Sequence, residues 1–237
     1  MAVDRIRIDQ LLGKTGAGSR SQIRQMAKKG RIMLNNVVIN DPSVKIDPKT
    51  DELKLDGVRV AYSEYEYIML YKPAGYISAT EDRKQKTVME LIDSARSDLS
   101  IAGRLDIDTE GLLLITNDGE LIHRLLSPKR HVYKVYYLET DVKIPDDAAQ
   151  KMAEGIVCDE ELTALPARLK VQSENSALLT IHEGKFHQVK RMMKAVGCDL
   201  TYLKRLSIGP LVLDESLGAG GSRNLTEEEI DALRHCK

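Results

Sequence analysis

With 237 residues, 42% of them hydrophobic and 30% charged, the chain is long enough for one or two buried cores, and its net charge of -1 gives no global attraction to nucleic acid. No apolar run approaches the roughly 20 residues that cross a bilayer, and MAVDRIRIDQ lacks the apolar core of a signal peptide, so the expected location is cytoplasmic. Cys158, Cys198 and Cys236 show neither metal-ligand spacing nor an even pairing framework, and are expected as reduced thiols.

The average charge hides an asymmetry. Residues 1–60 carry 12 basic and 7 acidic side chains, a net +5, which leaves -6 for the remainder. Within them SRSQIRQMAKKG predicts a short helix, capped by Ser19 or Ser21 and stopped at Gly30, with Ile23, Met26 and Ala27 as its buried stripe. Arg20, Arg24, Lys28 and Arg31 follow at helical spacing on another face. Such a row can meet successive phosphates, or it can be a solvated basic face. RIMLNNVVIN then predicts two short strands around the Asn35-Asn36 turn, and DPSVKIDPKTDELKLDG continues with Pro and Asp-Gly punctuation. Together RIDQLLGKTGAGSRSQIRQMAKKGRIMLNNVVI resembles the small RNA-binding domain named after ribosomal protein S4, which implies RNA binding rather than catalysis. The expected boundaries are an RNA-binding domain over 1–60, a linker over 61–67 (AYSEYEY) and a second domain over 68–237.

The second region opens with the β-type run YIMLYK and a turn at Lys72-Pro73-x-Gly75. Thr87 and Glu90 are spaced as a capping box and predict a helix through ELIDSA. GLLLITN predicts a buried strand, and Leu121, Ile122, Leu125 and Leu126 one face of a helix ending before Pro128. The acids Asp106, Asp108 and Glu110 thus precede a buried strand, where catalytic groups often sit. Read alone, they are compatible with a metal site, a glycosidase-like carboxylate pair or a solvated loop. DDAAQKMAEG predicts a surface helix, ENSALLTIHEG a strand, and Thr226 with Glu229 a second capping box before a terminal helix.

GRLDIDTEGLLLITNDG closely resembles the active-site segment of ribosomal RNA pseudouridine synthases of the type that carries the S4-like domain. KPAGYIS (72–78), VYKVYYLE (132–139), EGKFHQVKRMMKAVG (183–197), LKRLSIGPLVL (203–213) and NLTEEE (224–229) occur in that family's order, so the resemblance spans nearly the whole chain. It implies an α+β fold, with a small helix and hairpin domain followed by a mostly antiparallel mixed sheet flanked by helices. It also implies that Asp106 is the catalytic carboxylate, either as nucleophile at the sugar or as the base that gives a glycal. Asp108 and Glu110 do not match that position and are expected as hydrogen-bonding or surface groups. Lys190 is the expected cation beside Asp106, with its neighbour Arg191 as the other candidate, and Lys stands where many relatives carry Arg. Tyr136 matches the tyrosine that packs on the target base, whereas Tyr133 and Tyr137 are expected to face the core by strand alternation. Arg104 matches the arginine that can fill the gap left by a flipped base. Lys185, Lys194, Lys204 and Arg205 are expected to add to the positive field without a catalytic role.

The implied partner is ribosomal RNA, as 16S RNA or the assembling small subunit, with uridine 516 as the expected target. No cofactor, metal or membrane is implied, and a monomer is expected. The competing readings are the same chemistry on 23S RNA, a non-catalytic ribosome-assembly factor, and a sugar hydrolase using Asp106 with Asp108.

Overall fold

The computed structural model describes residues 5–60 and 62–236. The first residue of the expected linker, Ala61, lies outside them, as does Asp4 of the N-terminal charge count. The chain divides into two compact units, the first reaching Tyr65 and also including Asp93–Leu99, the second made of Glu66–Ile92 and Ser100–Lys237.

The first unit runs β1 (Ile6–Arg7), α1 (Ile8–Lys14), α2 (Arg20–Lys28), β2 (Ile32–Leu34), β3 (Val37–Val38), β4 (Lys45–Ile46), β5 (Leu53–Leu55) and β6 (Val58–Arg59). Helix α2 starts where a side chain can satisfy its free amides: Ser19 and Gln22 form a reciprocal capping box. Its Ile23 and Ala27 pack with Ile8, Leu11, Leu12, Ile32, Ile46 and Leu53 in one core. Each large apolar side chain buried there contributes about 1.5–3 kcal/mol. Asn35 and Asn36 both take positive φ, which matches the twist of the β2–β3 hairpin, and Asp56-Gly57 does the same between β5 and β6.

The expected helix through ELIDSA does not extend past one turn. The Thr87–Glu90 capping box is present, but Val88–Leu91 is a single 3-10 turn and Ile92 is already extended. Residues 93–99 join the first unit instead, where the nearly buried Arg96 donates to Asp98 (2.8 and 2.9 Å) and to the Ser63 carbonyl (2.6 Å). Charge-assisted bonds of this kind outweigh the few tenths of a kcal/mol per residue that helix propensity offers.

The second unit contains β7 (Tyr67–Lys72), β8 (Ser100–Ala102), β9 (Glu110–Thr116), α3 (Gly119–Leu126), β10 (Lys134–Thr140), α4 (Ala148–Glu154), β11 (Ile156–Val157), β12 (Thr163–Ala164), β13 (Arg168–Ser173), β14 (Ser176–Ile181), α5 (Gln188–Ala195), β15 (Leu200–Ile208), β16 (Leu211–Val212), β17 (Ser222–Asn224) and α6 (Glu227–His235). Its main sheet has the order β13-β14-β10-β15-β9-β7-β17, with β8 added to β9 and β16 to β15. Pairing is antiparallel except between β9 and β15. That is the mostly antiparallel mixed sheet flanked by helices expected of this chain, and β9 is buried along nearly its whole length because it is central.

Gly111 makes the parallel pairing possible. A Cβ there would lie 2.3 Å from the Arg205 carbonyl oxygen and 2.7 Å from its amide nitrogen, so any side chain would push β9 off β15.

Candidate active site

Asp106 sits in the loop between β8 and β9, and its place is fixed from below by β7 and the turn that follows it. Lys72 ends β7 fully buried, and its ammonium donates to the carbonyls of Thr109 (2.7 Å), Pro73 (3.0 Å) and Ile107 (3.4 Å). Ser78 brackets Leu105, donating to its carbonyl (2.8 Å) and accepting from its amide (3.0 Å). The amide of Gly75 donates to the Ile107 carbonyl (2.7 Å), and that of Thr109 to the Asp106 carbonyl (3.1 Å). Leu105 is buried between two outward neighbours, so the loop presents Arg104 and Asp106 while its backbone is tied down. Burial pushes the Lys72 pKa down to about 8, against the pull of Asp108, Asp106 and Glu110.

The KPAGYIS segment, which reads only as a turn, is therefore the clamp on this loop. The signal was a lysine closing an otherwise apolar strand directly before proline.

From the other side, α5 brings a cation. Its approach is set by the buried pair Glu183 and Gln188: the Gln188 amide donates to Glu183 (2.6 Å) and accepts from the Lys185 backbone (2.9 Å). His187, with φ of 49°, turns the chain into the helix. Lys190 then lies 3.2 Å from Asp106 Oδ2 and 2.6 Å from Asp108 Oδ1, and His187 Nε2 lies 3.6 Å from Asp106 Oδ1. Burial pulls the Lys190 pKa down, but the two carboxylates outweigh it and hold the ammonium above the ordinary lysine value. Asp108 is pushed up by burial and pulled further down by Lys190, ending below the usual carboxylate range. The arrangement sets two carboxylates and one ammonium together in a half-buried setting.

Arg191, the neighbouring candidate, points elsewhere. Its guanidinium is bound by Asp159, which it holds down at about 2, with Glu161 at 3.6 Å. Glu110 is also separate: strand alternation turns it to the face where Tyr202 donates to it (2.8 Å). Arg104 is exposed and makes no ion pair among the described residues.

Tyr136 is buried at the centre of β10, directly opposite Arg205 on β15 and Leu179 on β14. The expectation for its neighbours is reversed: Tyr133 is 57% exposed and edge-on to His182, and Tyr137 is half-buried and bonded to Glu139 (2.7 Å). The inward positions of β10 are Lys134, Tyr136 and Leu138, so alternation assigns the other two tyrosines outward. Of the residues expected to add field, Lys204 is paired with Glu215 (2.7 Å), while Arg205 is 2% exposed.

In the first unit Arg20, Arg24 and Lys28 stand exposed on α2, but Arg31 lies beyond the helix end and is held by Asp56 through two bonds of 2.7 and 2.6 Å. Among the described residues no cluster of three or more His, Cys, Asp or Glu could hold a metal ion, and no helix is long and apolar enough to cross a membrane.

Comparison with known proteins identifies two segments of the chain. Residues 66–195 match the RNA pseudouridylate synthase family and residues 6–52 the S4 domain. An uncharacterized RNA pseudouridine synthase, YtzG, of Bacillus subtilis (strain 168) is 43% identical over 96% of this chain and 98% of its own. Ribosomal small subunit pseudouridine synthase A of Vibrio vulnificus (strain CMCP6) is 42% identical over 96% of this chain and 99% of its own. A crystal structure of a pseudouridylate synthase superposes with a TM-score of 0.68 at 35% identity, covering 96% of this chain and 99% of that one.

Proposed function

The chain belongs to the RNA pseudouridine synthases, and from that membership we propose that it isomerises a uridine of small-subunit ribosomal RNA, with uridine 516 of 16S RNA as the target and Asp106 as the catalytic carboxylate. The observation that carries the assignment of Asp106 is its position on a loop clamped by Lys72 and Ser78, with the Lys190 ammonium 3.2 Å away. The choice of the small subunit is supported by the name and 42% identity of the Vibrio relative.

In this reading Asp106 acts at the sugar of the target uridine, either bonding to carbon 1′ or removing the 2′ proton, with the Lys190 ammonium beside it. The bond from carbon 1′ to N1 breaks, the base turns against Tyr136, and its carbon 5 bonds to carbon 1′ as Asp106 leaves or returns the 2′ proton. Carbon 5 then gives up its proton and N1 takes one up. Lifting the uridine out of its stack costs a few kcal/mol, and the exposed, unpaired Arg104 is the side chain placed to fill the gap. Arg20, Arg24 and Lys28 hold the RNA through its phosphates, as a basic helix face does. Arg191 contributes by fixing α5 through Asp159. The reaction is an isomerisation and calls for no redox partner or group donor.

The test is release of tritium from carbon 5 of uridine in 16S RNA, presented within small-subunit particles, by wild type and by Asp106→Asn. Release by wild type alone, mapped to one uridine, is the expected outcome. Release by both sinks the choice of Asp106. Release from 23S RNA but not 16S RNA sinks the substrate while leaving the chemistry.

A further inference from the structure

Three buried cations, Lys72, Arg205 and Lys134, are carried by β7, β15 and β10 of the main sheet. The strand registers place Lys72 opposite Gly111, Gly111 opposite Arg205, and Arg205 opposite Tyr136. Directly opposed residues share a sheet face, so Lys72, Arg205 and Tyr136 project from the same side, with Lys134 two positions from Tyr136 on β10. Lys72 has three carbonyl partners, and Lys134 has one, the Val132 carbonyl at 3.3 Å. Arg205 donates from Nε to the Leu112 carbonyl (2.8 Å), but its Nη2 is closed off from water with no hydrogen-bond partner. Its Nη1 lies 4.0 Å from where a Gly103 side chain would begin, which puts the guanidinium under the start of the loop that carries Asp106.

No carboxylate forms an ion pair with any of the three among the described residues. A buried guanidinium with an unused donor is expensive, and a fold that needed only packing there would place an apolar side chain. The charge of Arg205 is felt by both lysines: with burial, it lowers the pKa of Lys134 to about 8, and it adds to the lowering at Lys72.

On the reading that Asp106 opens the glycosidic bond, this charge has a use. When the bond between carbon 1′ and N1 breaks, its electron pair goes to N1, and the uracil carries one negative charge spread over N1, O2 and O4. The same anion forms whether Asp106 has bonded to carbon 1′ or taken the 2′ proton. The charge disappears when carbon 5 attacks carbon 1′. That attack releases Asp106 as its carboxylate on the first path, or goes with return of the 2′ proton from Asp106 on the second. The proton then lost from carbon 5 is balanced by one taken up at N1. We propose that Arg205, supported by Lys134, is the fixed positive charge that stabilises the detached uracil anion held against Tyr136. A preorganised charge in a dry site acts on the transition state without reorganisation.

The experiment compares Arg205→Met and Arg205→Lys with wild type in single-turnover conversion of 16S RNA carrying either uridine or 5-fluorouridine. Consumption is read by nuclease digestion and mass spectrometry, on samples whose thermal melts show a cooperative fold. Fluorine withdraws electrons and stabilises the uracil anion by itself, so it lessens the need for the arginine. Arg205→Met should lose about 100-fold on uridine RNA, the scale of removing one preorganised donor, and tenfold or less on 5-fluorouridine RNA, with RNA affinity within about threefold. Arg205→Lys should keep the wild-type ratio between the two RNAs and lose less than tenfold on either. Equal losses on both RNAs by folded Arg205→Met overturn the proposal, as does a folded Arg205→Lys that loses about 100-fold on both. Wild-type turnover in the same assay carries the reading of the reaction, and only the variant ratios carry the role of Arg205.

Discussion

Helix α2 of the first unit and the surroundings of the Asp106 loop in the second both place basic side chains, yet they use charge in opposite ways. Arg20, Arg24 and Lys28 are exposed and make no ion pair among the described residues. Their field reaches outward, is screened by salt, and depends little on where any one head group points. Lys72 and Lys190 are held at stated atoms: three carbonyls for one, two carboxylates for the other. There a shift of an ångström matters, because the effect falls off with contact geometry. The same residue types therefore serve long-range attraction in one unit and local chemistry in the other, and burial decides which.

Adjacent residues on α5 give the sharpest way to break this contrast. Lys190→Met leaves Asp106 and Asp108 without their shared cation, and turnover should fall about 100-fold. Arg191→Met removes the contacts with Asp159 and Glu161, leaves Asp106 untouched, and should stay within about threefold in the same assay. Similar losses in the two variants would mean that basic character on α5, not contact with Asp106, is what counts.

On the other side of the comparison, replacing Arg20, Arg24 and Lys28 together by Gln should weaken RNA binding about tenfold near 0.1 M salt. The slope of log affinity against log salt should drop by roughly 2–3, one phosphate contact for each charge removed. Filter binding over a salt series reads both, and single-turnover chemistry on saturated enzyme should be nearly unchanged. An unchanged slope would remove α2 from the RNA path.

Smaller effects are expected on stability. Ser19→Ala removes the cap that starts α2 and should destabilise the first unit by about 1 kcal/mol in denaturant titration. Lys134 titrates near 8 in the folded chain against 10.5 for an ordinary lysine. Between those values the unfolded chain holds a proton that the folded chain has released. The penalty from this buried charge is thus complete below about pH 8 and relieved as pH rises through the window. Lys134→Met should melt higher than wild type at about pH 7.5, and the gap should narrow toward about pH 10. A gap independent of pH would show that Lys134 carries no buried charge.

Local chemistry was legible wherever a signal and its partner lie within a few residues. The Ser19 and Thr226 caps and the Asn35-Asn36 turn follow from such spacing, since each satisfies nearby backbone groups or fixes a local dihedral. The Thr87 box met the same criterion and produced only one turn, because residues 93–99 bond within the first unit. Asp106 could be singled out by the resemblance of its segment, whereas residue types alone left three readings of the acids open.

The sequence by itself determined the two-part organisation, the charge asymmetry, the periods of the main helices and strands, and the segment that carries Asp106. Only the tertiary structure decided that Lys190 rather than Arg191 lies against Asp106, that Glu110 faces away, and that Lys72 and Ser78 clamp the loop. It also decided that Tyr136 and Arg205 meet across two strands 69 positions apart in the chain. Periodicity and capping are set by neighbours along the chain. Which charges are buried, and against what, depends on strand register across the sheet, and no spacing in the sequence encodes that.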